Sequence, residues 1–142
     1  MLNTLVKENW IEIKDSDPRA VAIFRRHYTA RENVDYVKYG FSGKGESMIL
    51  MTLSCDALFC WRLVKGIGVC CSVFRNESNI LSSDLIREAV EMALNRWPGA
   101  MIYTFVNPRK VHGDGKCFKA AGFYKLPKRT KKQRLIELRF AQ

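Results

Sequence analysis

Residues Val69–Val106, VCCSVFRNESNILSSDLIREAVEMALNRWPGAMIYTFV, decide the fold. The segment opens with a short apolar run, Val69 to Arg75, of strand length and strand composition. Asn76, Glu77, Ser78 and Asn79 are polar and break it. Leu85, Ile86, Ala89, Val90, Ala93, Leu94 and Trp97 then recur at the spacing of one helix face, with Arg87, Glu88, Glu91 and Arg96 between them. Ser82-Ser83-Asp84 carries the oxygens that cap a helix start, and Pro98-Gly99 stops the helix. Ala100 to Val106 is again apolar and β-rich. A strand, a helix and a strand in direct succession predict a crossover that joins parallel strands.

Working outward, two further runs precede the unit, Ser47–Ser54 and Ala57–Val64. The gaps between the three runs are of turn size, so they predict an antiparallel meander. Trp10–Lys14 alternates apolar with polar and reads as a strand. Asp17-Pro18 is a helix start, and Ala20, Val21, Phe24 and Tyr28 place a helix over roughly 18–29. Residues 30–45, with Gly40, Gly43 and Gly45, read as a loop or an irregular second helix. Downstream, Gly115–Gly122 reads as a short helix that Gly122 ends, Phe123–Leu126 as a strand and Leu135–Phe140 as the terminal strand. The expected fold is one α/β (α+β) domain over residues 1–142: a mixed, mostly antiparallel sheet of about six to seven strands with about three to four helices.

Composition bounds the function classes. A 47% hydrophobic, 27% charged chain is an ordinary globular one. No apolar run reaches the roughly 18–20 residues of a membrane span, and Met1–Trp10 has no apolar leader core; the expectation is a cytoplasmic protein with no membrane partner. The five cysteines, an odd number without metal-ligand spacing, predict buried thiols and neither a disulfide framework nor a metal site. Adjacent Cys70 and Cys71 should point to opposite faces of their strand.

The net charge of +10 is concentrated. Between Pro108 and Arg134 stand ten lysines and arginines against one acid, Asp114. Such a field suits a phosphate-rich partner, either nucleic acid or the phosphates of a nucleotide cofactor. Arg109, Lys110, Lys128, Arg129, Lys131 and Lys132 are the candidate contacts. Tyr36, Tyr39 and Phe41 beside Arg31 and Lys38 form a second mixed aromatic and basic stretch of a kind that stacks on bases.

The order of elements, together with Tyr103-Thr104-Phe105-Val106-Asn107 and Cys117-Phe118-Lys119-Ala120-Ala121-Gly122-Phe123, resembles the Gcn5-related N-acetyltransferase family over nearly the whole chain. The wider set Phe74-Arg75-Asn76-Glu77, Ser82-Ser83, Trp97-Pro98 and Tyr103–Gly122 resembles a small phage and bacterial group of acetyltransferase-like proteins. The resemblance implies acetyl-CoA or another acyl-CoA, bound where two neighbouring strands splay, here those ending near Phe74-Arg75 and Val106. It implies a pyrophosphate at the N-terminus of the central helix near Ser82 and Ser83, and roles for Asn107 and Phe118 at the cofactor. Two features depart from the family pattern: Arg75–Asp84 contains no glycine where the family has a glycine-bearing phosphate loop, and Phe118 stands where the family often has a tyrosine proton donor.

Catalytic candidates follow. Glu77 comes directly after the strand on which the family often carries its general base. His27 titrates near neutrality and, with Tyr28, borders the acceptor side in related folds. Three readings result. One is an acyl-CoA-dependent N-acyltransferase with direct attack of an amine on the thioester. Another is a phage-type enzyme that modifies nucleic acid or a modified base. The last is a degenerate domain that binds nucleic acid or a protein partner. Pairing of sheet edges into a homodimer is a further expectation.

Overall fold

The computed structural model describes residues 9–142. The leaderless reading of Met1–Trp10 therefore lies mostly outside the described residues. The elements are β1 (Trp10–Ile13), α1 (Pro18–Phe24), α2 (Tyr36–Tyr39), β2 (Ser47–Thr52), β3 (Ala57–Val64), β4 (Gly68–Asn76), α3 (Ser82–Arg96), β5 (Ile102–Val106), α4 (Lys116–Ala120), β6 (Phe123–Arg129) and β7 (Ile136–Phe140). The strands form one seven-stranded sheet in the order β1-β2-β3-β4-β5-β7-β6. The meander is antiparallel as expected, and β4 and β5 are parallel. The final hairpin folds back so that β7, not β6, lies against β5. No described helix is long and apolar enough to cross a membrane.

Alternation along the strands makes two apolar layers. Trp10, Leu50, Phe59, Trp61, Val69 and Cys71 face α3 and α4, while Ile49, Met51, Leu58, Cys60 and Val73 face α1 and α2. The indoles of Trp10 and Trp61 donate to the carbonyls of Leu85 and Ala89 at 2.8 and 2.9 Å. Two successive turns of α3 are thereby fixed to the sheet while both polar N–H groups stay satisfied in the core.

Several expectations are corrected. Helix α1 stops at Phe24: the N–H groups of Arg26 and His27 donate to the carbonyls of Ile23 and Phe24, three residues back, and the chain continues as turns. Tyr36 and Phe41 are not a stacking platform: their rings lie 4.9 and 4.4 Å from that of Phe24, and only Tyr39 of the three is strongly exposed. Strand β6 runs on to Arg129 through Pro127, which an edge strand with an irregular register tolerates. All five cysteines are free thiols, but only Cys60 and Cys71 are buried, Cys55, Cys70 and Cys117 being partly exposed; Cys71 lies in the α3-side layer while Cys70 does not.

A bulge shapes the centre of the sheet. Against β3 the register passes from Trp61↔Cys71 to Cys60↔Val73, so Ser72 is an extra residue. A bulge bends its strand. The parallel ladder to β5 ends at Cys71↔Thr104, at the same place. Beyond it, residues 72–76 of β4 and 105–106 of β5 have no pairing with each other.

Candidate active site

Where β4 and β5 part, a cavity of about 820 Å³ opens at their C-terminal ends. This is ample for a small-molecule ligand. A second space of about 50 Å³ lies in the gap between the strands, walled by residues 71–74 and 104–106. His27, Tyr28, Phe74 and Phe118 border both. Phe118 is buried in an aromatic cluster, with its ring 5.9 Å from Phe74 and 5.2 Å from Phe123. Phe74 and Phe118 thus give the gap an apolar wall.

The start of α3 forms another wall through Leu81, Ser82 and Ser83. The expected cap by Ser82-Ser83-Asp84 is not made. The capping position is Leu81, whose side chain accepts no hydrogen bond, and the serines are already inside the helix. Among the described residues nothing accepts from the N–H groups of Ser82 and Ser83. The positive end of a fifteen-residue helix is therefore left open toward the cavity.

The missing glycines have a local explanation. Asn76 donates through Nδ2 to the carbonyl of Ile80 at 2.8 Å and to Ser82 Oγ at 2.9 Å, and its Oδ1 accepts from the Ser78 N–H at 2.9 Å. One side chain therefore organises the whole loop. No residue from Arg75 to Asp84 has a positive φ, so glycine is not required there. The sequence places Asn76 in the Phe74–Glu77 stretch of the resemblance but gives it no role of its own, since its partners are set by the conformation of the loop.

Every charged side chain lining the large cavity is cationic: Arg26, Arg75, Lys110 and Lys116. Glu77 does not line it. Arg26 grips both Glu77 oxygens through Nε and Nη2 at 2.7 and 2.8 Å, and Arg75 Nε adds a third bond at 2.5 Å. The hydrogen bonds from Arg26, then those from Arg75, pull the Glu77 carboxyl down to about 2. Such a carboxylate has little affinity for a proton at neutral pH.

His27 is buried, and burial, helped by the nearby Arg75 charge, lowers it to about 4. It is neutral at pH 7. Its Nδ1 accepts the Thr29 N–H and lies 2.8 Å from Thr29 Oγ1, which places the ring proton on Nε2. Tyr28 is half-exposed, and burial raises its hydroxyl above the usual range while the backbone N–H of Asn107 works the other way. Tyr28 therefore reaches from the α1 turn across the gap to the end of β5.

The remaining candidates separate. The Asn107 side chain accepts from the Arg109 N–H at 3.0 Å and builds a turn; it lines neither space. Cys117 lines the cavity, but burial raises its thiol, the reverse of what an attacking thiolate needs. Arg109, Lys128, Arg129, Lys131 and Lys132 are exposed and lie outside the cavity, the last four on the β6–β7 hairpin at the far edge of the sheet. The basic segment is thus divided, and only Lys110 and Lys116 of it reach the cavity.

No family model matches the sequence, and no curated protein does either. Solved structures do match. An acyl-CoA N-acyltransferase from Pseudomonas aeruginosa superposes with a TM-score of 0.66 at 14% identity, covering 94% of this chain and 99% of that one. Escherichia coli ElaA gives 0.67 at 11% identity over 93% and 98%. A Bacillus subtilis acetyltransferase in complex with CoA gives 0.66 at 10% identity over 94% and 98%. The chain has the Gcn5-related N-acetyltransferase fold. In this fold, the parted β4 and β5 and the open end of α3 meet at a single cavity.

Proposed function

We propose that the protein is an acyl-CoA-dependent N-acyltransferase. The observation that carries the reading is the coincidence at one cavity of three features: the β4–β5 gap, an uncapped helix N-terminus and the two lysines Lys110 and Lys116 on its β5–α4 side. The residues fit an acyl-CoA in kind. The N–H groups of Ser82 and Ser83, with Lys110 and Lys116, suit a pyrophosphate. Phe74 and Phe118 suit the apolar stretches of the pantetheine arm, and the unpaired edges of β4 and β5 suit its amides. An acyl-CoA would bring an activated thioester. The chain would orient it, leaving an amine to attack from the α1 side.

Proton handling differs from the family expectation. Glu77, held by two arginines, acts as a positioning residue that ties the α1 turn to the β4–α3 loop. His27, with its proton on Nε2, serves as a hydrogen-bond donor. Tyr28 supplies the hydroxyl that Phe118 lacks, at a place that borders both the cavity and the gap, and its raised pKa keeps it protonated. As the C–N bond forms and the C–S bond breaks, the proton lost by the amine passes to water in the open cavity and Tyr28 would give a proton to the departing thiolate of CoA.

Calorimetric titration of the purified chain with acetyl-CoA and with CoA tests the reading. Binding at one site with a micromolar dissociation constant is the expected result. Heat no different from dilution at millimolar ligand would overturn it.

A further inference from the structure

The cavity has two sides because the sheet has two faces. Alternation after the bulge puts Val73 in the α1-side layer and Phe74 in the α3-side layer, so Arg75 returns to the α1 side. It meets Arg26 there, on the turn that follows α1, with Glu77 between them. An acyl-CoA whose phosphates sit at the start of α3 occupies the opposite side. Resting on that reading, the α1 side is where an acceptor amine would enter.

The donors at this entrance are not all used. Arg26 spends Nε and Nη2 on Glu77, and Arg75 spends Nε. Among the described residues no protein acceptor meets Arg26 Nη1 or the two Nη groups of Arg75. Arg26 and Arg75 both line the cavity, whereas Glu77, which holds them, does not. Two positive charges share one negative charge, and His27 beside them adds none at neutral pH. A planar pair of cations, fixed in place and carrying spare N–H groups, matches a carboxylate or a phosphate. The same pair repels a polycationic acceptor.

We infer that Arg26 and Arg75, positioned by Glu77, form a subsite for the anionic group of the acceptor, so that the acceptor is a small amine bearing a carboxylate or phosphate near its nitrogen. Lys110 and Lys116 lie on the β5–α4 side and serve the cofactor.

The test is binding to the protein saturated with CoA, read by ligand-observed NMR with four probes: O-phosphoethanolamine, β-alanine, ethanolamine and putrescine. The expected result is that one or both anionic amines bind at least tenfold more tightly than ethanolamine, with putrescine weakest. Preference between the first two identifies phosphate or carboxylate as the group recognised. Arg26→Gln leaves Glu77 paired with Arg75 and should weaken the anionic probes about tenfold, while the calorimetric CoA affinity stays within a factor of two. Failure of both anions to bind at millimolar concentration, equal binding of all four probes, or an unchanged preference in Arg26→Gln would overturn the subsite and leave the acyltransferase reading standing. Loss of CoA binding by the unmodified protein would instead overturn that reading, and the subsite with it.

Discussion

At the scale of single residues, proton affinity decides the roles. Glu77 and His27 are the natural bases on paper, and each is disarmed by its surroundings. Glu77 is bound by two guanidinium groups at 2.5–2.8 Å. His27 accepts the Thr29 N–H on its only free nitrogen. The Tyr28 hydroxyl is the one that reaches the gap. Tyr28→Phe should lower kcat about 10- to 100-fold, and calorimetry should find CoA affinity unchanged within a factor of two. Equal turnover of the two proteins would remove Tyr28 from the chemistry. His27 makes a separate statement about stability. Its pKa in the folded protein is about 4, against 6.5 ordinarily. As the pH falls below 6.5 the unfolded chain takes up this proton first, so the folded state loses stability down to about pH 4, by roughly 3 kcal/mol in all. Glu77 is depressed too, but it loses its contribution only between about 4.5 and 2. Urea midpoints measured from pH 7 to 4.5 should therefore fall in the native protein and stay nearly flat in His27→Gln. The sequence names Glu77, His27 and Tyr28 as candidates but not their proton affinities, since Arg26 and Glu77 stand far apart in the chain and their meeting depends on the α1 turn.

At the scale of elements, the sequence carried most of the fold, because strand and helix signals are local. Strand β3 is legible to the residue, α3 to its first turn, and the parallel pairing of β4 with β5 from the succession of strand, helix and strand. What escaped depended on partners. The extra residue Ser72 is defined only against β3, and the place of β7 between β5 and β6 only against β5. The glycine after the His112–Asp114 turn shows how tightly α4 is seated. Gly115 caps α4 in the left-handed region at φ 85, and a β-carbon there would lie 2.7 Å from Leu138 Cδ1. Gly115→Ala combines backbone strain with overpacking and should cost about 2 kcal/mol. A fall in thermal midpoint of roughly 5–10 °C is the expected reading. Gly115 and Lys116 also line the cavity, so CoA should bind more weakly to the same variant. A stable Gly115→Ala protein with unchanged affinity would mean that α4 is not seated through this contact.

At the scale of the whole molecule, charge is the property that the sequence displayed most openly and located least well. The excess between Pro108 and Arg134 is real, but folding distributes it. Lys110 and Lys116 face the cavity, and Lys125 pairs with Asp114 at 3.3 Å. Lys128, Arg129, Lys131 and Lys132 project from a hairpin two strands away from β5. A linear reading cannot separate these groups, because the turn at residues 107–115 and the hairpin send neighbouring stretches to different surfaces. The separation gives an experiment. Screening falls off within about 10 Å at 0.1 M salt, so only cations at the cavity can act strongly on a bound phosphate. The double change Lys110→Gln with Lys116→Gln should weaken CoA binding about tenfold or more and flatten its dependence on salt between 50 and 300 mM. Neutralising Lys128, Arg129, Lys131 and Lys132 together removes twice as much charge, yet should leave CoA affinity within a factor of two. If the hairpin variant lost affinity as steeply as the cavity variant, attraction would be a property of net charge, and the cavity lysines would have no specific part in holding the cofactor.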